Sequence, residues 1–380
     1  MIASVGAGGV LYLTPMVFHA LHVSATGVGR GLAAAALAGT VGRFLSGWLL
    51  DRGLKGSVPV QLAALFSLLA DTQLVLADGF GGYLRGQLLL GMAMGLYWPA
   101  IELAVAQCCG SFPSSRGYAL ARSADAAGIA TGALLGALLA QLGQLRGIYL
   151  VDIICMVVLI AVLGLRPLPL APPRAAAAGI AGAKRWWTPL LPMLGVTVLA
   201  TAMPALLQSA LPLDLLRGGL GRPAMGEQLG SLLIGLQLIL LLALQWPVGR
   251  TLADRPVRFG LGLSLVCFAL GNALLALSAL GLASGAVLLL AQLPLALGEA
   301  AFLPTATEAV VELTPPEHQG LAMALFSQCF ALSAFLAPLL AGQLLDSQGH
   351  AVGLWSLMGV LCLAGLPLVA LLNPRRRNLV

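Results

Sequence analysis

A few carboxylates, one amide and two arginines lie inside long apolar stretches of this chain, and they are its candidates for chemistry. Glu102 lies in a run near 82–107, and Arg122 and Asp125 lie one turn apart in the run near 117–140. Gln292, Glu299 and Glu308 lie in the run near 284–310, and Arg85 lies close to the start of the run that holds Glu102. Gln292 and Glu299 are seven residues apart, which places them on one helical face. Asp71 and Asp152 occupy two further runs. A charge within hydrocarbon is costly and marks a functional position by default. A carboxylate whose surroundings alternate between dry and wet can take up and release a proton. Plainer readings stand beside this one. Asp125 can be held permanently by Arg122, and Glu102 and Glu308 can reach water at the ends of their helices. Glu299 is deeper and has no basic residue within a turn, so it is favoured as a proton carrier.

Other chemistries find little support. No phosphate-cradling loop is present, and no nucleophile, base and orienting group occur together, so an enzyme is not expected. The six cysteines form no CxxC pair, and no His/Cys cluster has metal-ligand spacing. No cofactor and no metal are expected, and without a nucleotide-binding segment the energy must come from an ion gradient, a proton gradient first, or from the solute itself.

The elements that must position these residues follow from composition. The chain has 380 residues, of which 59% are hydrophobic and only 9% charged, against roughly 25% charged in a soluble domain. Its mean hydropathy of +0.96 fits lipid as solvent. A spanning helix needs about 20 apolar residues. Twelve such runs lie near 1–22, 28–50, 58–77, 82–107, 117–140, 147–165, 188–212, 228–249, 257–279, 284–310, 320–343 and 351–373. They lack the alternation of barrel strands, so an all-α integral membrane protein is expected. The first run is read as a span rather than a cleaved leader, because it is long enough to cross and no lysine or arginine precedes Arg30. The segment 166–187 holds Pro167, Pro169, Pro172, Pro173, Arg174, Lys184 and Arg185, and it reads as a linker between 1–165 and 188–373, with a basic tail at 374–380. Lysine and arginine collect on one side of the runs, at Arg52, Lys55, Arg116, Arg166, Arg174, Lys184, Arg185, Arg250, Arg255, Arg258 and Arg375 to Arg377. The other side holds Arg30, Arg146, Arg217 and Arg222. By the positive-inside rule the first side, with the linker and both termini, is cytoplasmic. The net charge of +6 lies in short loops and the tail with no interleaved aromatics, so no nucleic-acid partner is expected.

The two halves echo each other. Asp51-Arg52 and Asp254-Arg255 follow the second and eighth runs, and Gly117 and Gly320 open the fifth and eleventh; both pairs are 203 residues apart. Parallel repeats of this kind are a known plan for secondary transporters. With Gly47, Asp51, Arg52 and Lys55 in one loop, and Glu312 seven residues before Gln319-Gly320 in another, the chain resembles the major facilitator superfamily over nearly its whole length. The matches are incomplete: Arg250 replaces the second-half loop glycine, Gln319 stands where the family has arginine, and the first-half copy keeps Arg116 but has Cys109 at the position of the glutamate.

The resemblance implies two six-helix bundles around a central cavity, and gating contacts from Asp51, Arg52, Arg116, Asp254, Arg255 and Glu312. It also implies that the third and sixth helices are peripheral, so Asp71 and Asp152 carry less weight. The stretch Gly128-Ile-Ala-Thr-Gly132-Ala-Leu-Leu-Gly136 resembles the glycine-rich element of the family's drug/proton antiporters, although Ala133 stands where that element has proline. Pro338 in the eleventh run sits in a similar stretch, and Arg85 resembles the antiporters' arginine in the fourth helix. Plain close packing accounts equally well for Gly128, Gly132 and Gly136, which share one stripe. The expected function is therefore a secondary transporter in the cell membrane, a monomer exporting small amphipathic or drug-like solutes against protons. Uptake or facilitated passage of a sugar or organic acid is the alternative, and a receptor that kept the fold without transport is the third reading.

Overall fold

The computed structural model describes residues 1–108, 114–168, 186–252, 255–281, 284–315 and 319–372; the side chains of 51, 106, 114–119, 122, 319–321 and 324 are outside the description. The linker 166–187 therefore lies mostly outside it, as do the basic tail, Asp254 and Cys109.

Among the described residues, twelve helices are long and apolar enough to cross a membrane. They are α1 (Ile2–Ala20), α2 (Ala25–Asp51), α3 (Ser57–Leu76), α4 (Phe80–Cys108), α5 (Ser114–Gln141) and α6 (Gly147–Leu165), followed by α7 (Leu191–Arg217), α8 (Glu227–Leu252), α9 (Val257–Ala279), α10 (Ser284–Leu313) and α11 (Gln319–Gln348). The twelfth span is α12 (Val352–Ala364) continued past Gly365 by α13 (Leu366–Leu371). The chain is thus an all-helical, multi-pass membrane protein. Helix is the structure that satisfies backbone groups within one segment in lipid. Local chemistry sets the ends. Ser24 caps α2 by accepting the Gly27 amide at 3.0 Å. Gly218, with φ +81°, closes α7 in a conformation a side chain would strain. Large apolar side chains such as Leu69, Leu150 and Ile154 are exposed, as lipid-facing surfaces require.

Contacts divide the chain into two compact units. One comprises Met1–Ile180 with Gly226–Gly235, and the other Ala181–Met225 with Leu236–Val380. In the first unit α1 packs on α5 and α6, and α3 packs on α4 and α6, with α2 lying along α4. In the second unit α7 packs on α11, and α9 packs on α10 and α12. First-with-fifth, third-with-fourth and third-with-sixth pairings therefore recur in both halves.

Small residues set the closest approaches. A Cβ on Gly132 would run into the Val5 carbonyl oxygen, and one on Gly8 into that of Ile129. Gly128 meets Ser4, and Gly136 meets Leu13. The glycine stripe of α5 is the seam against α1. A second seam joins α2 to α4, where Gly91 faces the Ala35 carbonyl and Gly95 that of Gly39. In the other unit hydroxyls join α7 to α11: Thr201 and Ser333 lie 2.8 Å apart, and Ser333 donates to the Val198 carbonyl at 2.8 Å.

Candidate functional site

Five helices of the first unit line a cavity of about 90 Å³. Ala3, Ser4, Ala7, Val10 and Leu11 come from α1, and Ala63, Ala64 and Ser67 from α3. Leu90, Ala93, Met94, Tyr97 and Trp98 come from α4, Asp125 and Ile129 from α5, and Asp152 and Met156 from α6. The wall is mostly apolar, with two carboxylates set into it. Near one end the Ser4 hydroxyl donates to Asp125 Oδ1 at 2.7 Å, so the α1–α5 seam carries a polar bond straight to the cavity. On another wall the Ser67 hydroxyl donates to Asp152 Oδ2 at 3.1 Å. The Tyr97 ring packs edge-on against Trp98. A space of this size has room for several waters, and Ser4, Ser67, Asp125 and Asp152 offer them polar partners.

Asp152 does not stand alone. Asp71, one helical turn beyond Ser67 on α3, has its carboxyl in side-chain contact with that of Asp152. Both are buried, at 0% and 1% exposure. A Cβ at Gly6 would strike Asp152, so glycine in α1 makes room for this carboxyl.

The remaining sequence candidates are scattered. Glu102 is exposed on α4 and has Arg43 of α2 as its charged neighbour. Arg85 is exposed and donates back to the Gly81 carbonyl of its own helix at 3.3 Å. The Arg122 side chain lies outside the description, and the described partner of Asp125 is Ser4. In the second unit Gln292 is fully buried and donates to the Leu288 carbonyl at 2.9 Å, leaving its Oε1 without a donor. Glu299 is half-buried, and among the described residues no hydrogen bond joins it to Gln292. Glu308 and Glu312 are half-buried and engaged, and Pro338 is buried within α11. Arg52 is exposed and stacks on Trp48 of its own helix, 3.8 Å from the ring centroid. Arg255 lies 5.9 Å from the Phe259 ring. The side chains of Asp51 and Arg116 are outside the description.

Sequence reasoning missed one buried cluster. Arg222, counted among the loop charges, is buried and lies 2.8 Å from Asp214 Oδ1. It also donates to Ser278 and to the Asp214 carbonyl, both at 2.9 Å, and Trp355 donates to Asp214 Oδ2 at 3.0 Å. The cluster ties the α7–α8 loop to α9 and α12. The sequence signal was an aspartate eight residues before an arginine, too ordinary to single out. Ser4 and Ser67 gave no signal, since hydroxyls in membrane helices usually bond their own backbone.

The family model described as Major Facilitator Superfamily matches residues 186–379, half of the chain. The chain belongs to the Major Facilitator Superfamily. It is accordingly a membrane transporter rather than an enzyme. Solved structures of this superfamily's fold cover nearly all of it. The structure of a POT family transporter in complex with 5-aminolevulinic acid has a TM-score of 0.77 at 12% identity, covering 97% of this chain and 92% of the other. The nucleoside transporter NupG has a TM-score of 0.77 at 13% identity, covering 98% and 97%. An auto-inhibited POT family peptide transporter has a TM-score of 0.73 at 16% identity, covering 100% and 97%. At such identities the likeness is one of fold. A search of curated proteins finds no match.

Proposed function

We propose that this superfamily member moves a small amphipathic solute across the cell membrane by alternating access, coupled to protons and in the direction of export. The observation that carries the proton coupling is the cavity of the first unit, an apolar chamber inside a membrane bundle with Asp125 and Asp152 set in its wall. Carboxylates at that depth are expensive to keep charged. A chamber wetted in one state and dry in another gives such a group a reason to exchange its proton. Ser4 and Ser67 hold the two carboxyls in place. The apolar remainder of the wall suits an amphipathic solute better than a sugar, whose hydroxyls need several polar partners. Export is supported by the resemblance of the Gly128 to Gly136 stretch to the antiporter element, and the cytoplasmic placement of linker and termini by the basic loops. One chain contains both units, so a monomer suffices.

A second reading has its own support. The neighbours named for 5-aminolevulinic acid, peptides and nucleosides point toward polar or zwitterionic solutes, and with them toward uptake. The experiment is a solute panel in proteoliposomes with an imposed pH gradient. Export predicts that amphipathic solutes accumulate when the lumen is acidic, in exchange for outgoing protons. Uptake predicts that a dipeptide, a nucleoside or 5-aminolevulinic acid moves together with protons. Transport indifferent to the gradient would remove proton coupling altogether.

A further inference from the structure

We propose that Asp71 and Asp152 form a proton-binding site in the first unit, holding one proton between their carboxyls and exchanging it with water in the adjacent cavity. The site is separate from Asp125 and was given little weight in the sequence, where both aspartates fall on helices expected at the periphery.

The first observation is the absence of donors. Asp71 is fully buried, and neither of its oxygens receives a hydrogen bond among the described residues. Asp152 receives one, from Ser67, and its Oδ1 receives none. The contrast with Asp214 is direct, because that buried carboxyl has Arg222 and Trp355. An ionised carboxylate can only accept, so two of them in contact have nothing to share. A single proton turns one into a donor and supplies the missing bond.

The second observation is access. Asp152 lines the cavity, while Asp71 stands behind it on α3. The proton leaves a carboxyl oxygen for a cavity water, giving a carboxylate and a hydronium ion, and returns by the reverse step. Among the described residues, the surrounding groups offer no standing counter-charge. Arg146, at the start of α6, is spent on the carbonyls of Val75 and Ala77, both at 3.1 Å. Tyr149 donates to Thr14 at 3.2 Å, and Cys155 faces the Gly6 backbone. On α4, Tyr83 donates to the Val28 carbonyl at 2.9 Å, Tyr97 lines the cavity, and Arg85 is exposed. Asp125 on α5 lines the same cavity and adds a further acid. Two carboxyls and a hydroxyl also fall short of the six or more oxygens that hard divalent cations gather.

The site extends the proton-coupled reading above, but its test needs no solute, so the failure of either one leaves the other standing. The protein in lipid nanodiscs is examined at pH 7 by infrared spectroscopy for the carbonyl stretch of a protonated carboxylic acid. The wild type should show this band, shifted in D2O. Subtracting the Asp71→Asn spectrum, or the Asp152→Asn spectrum, from the wild type should leave the same component of the band, because an amide donor then satisfies a single ionised carboxylate. Asp125→Asn should keep that component, whatever its own carboxyl adds elsewhere in the band. A wild type without the band overturns the proposal, whether or not any variant folds. A band unchanged in every component by both single substitutions overturns it too, as does a component of the pair that sodium chloride removes where choline chloride does not.

Discussion

Replacing Asp125 by asparagine keeps the shape of the cavity wall and the acceptor for Ser4, and removes only the group that can gain and lose a proton. Asp125→Asn is therefore expected to lose accumulation driven by a pH gradient while retaining solute exchange at equilibrium. Counterflow in vesicles without a gradient separates the two outcomes, and pH-driven accumulation at the wild-type rate would take Asp125 out of the path. Glu299→Gln calls for the same pair of assays. That residue is half-buried in α10, and the described residues give it no ion pair. If it carries a proton, its substitution uncouples transport in the same way, and intact accumulation would leave the first unit as the place of coupling. The Asp214–Arg222 cluster makes a different prediction. Removing one member of a buried ion pair costs about 3–5 kcal/mol. Arg222→Ala should thus lower the melting temperature strongly, and Arg222→Met with Asp214→Leu should recover much of the loss. A melting temperature unmoved by Arg222→Ala would mean that the cluster does not hold the α7–α8 loop.

Helix seams explain what was legible in the sequence and what was not. The glycines of α5 could be read as a stripe, and the structure gives that stripe an ordinary occupant, the backbone of α1 at Val5 and Gly8. Gly132→Val should overpack the seam and destabilise by about 1–3 kcal/mol, with Gly81→Val, on an open surface, as the control. Equal thermal stability of the two variants would contradict the close approach. The twelve spans were legible because uniform apolar runs leave a membrane helix as the one way to pair their backbone. The partners of individual acids were not. Helical period places Asp125 and Arg122 on one face, yet the hydroxyl that reaches Asp125 comes from Ser4, 121 residues away. Asp71 and Asp152 were each visible as acids in apolar runs, but their meeting depends on α3 packing against α6. Arg52 could be foreseen at the end of α2. Its stacking on Trp48, which engages it locally, depends on side-chain geometry that spacing does not determine.

At the scale of the molecule, three helix pairings recur in both units, as the repeat read from Asp51, Asp254, Gly117 and Gly320 would have them, whereas the close packing of α2 along α4 is a feature of the first unit. The repeat is not copied in chemistry. The first unit places carboxylates around a cavity, whereas the second buries a paired aspartate and arginine at a helix end and joins α7 to α11 through neutral hydroxyls. On the proposed proton-coupled reading, this asymmetry favours the first unit as the place of exchange, with Glu299 of α10 as the competing candidate that the substitution above tests. The most direct test is solute-dependent proton flux, recorded with a pH-sensitive dye inside proteoliposomes as an amphipathic solute panel is added. The account predicts that at least one solute elicits a proton current in the wild type and none in Asp125→Asn, with both proteins equally incorporated. Solute movement by the wild type with no accompanying proton movement would contradict it.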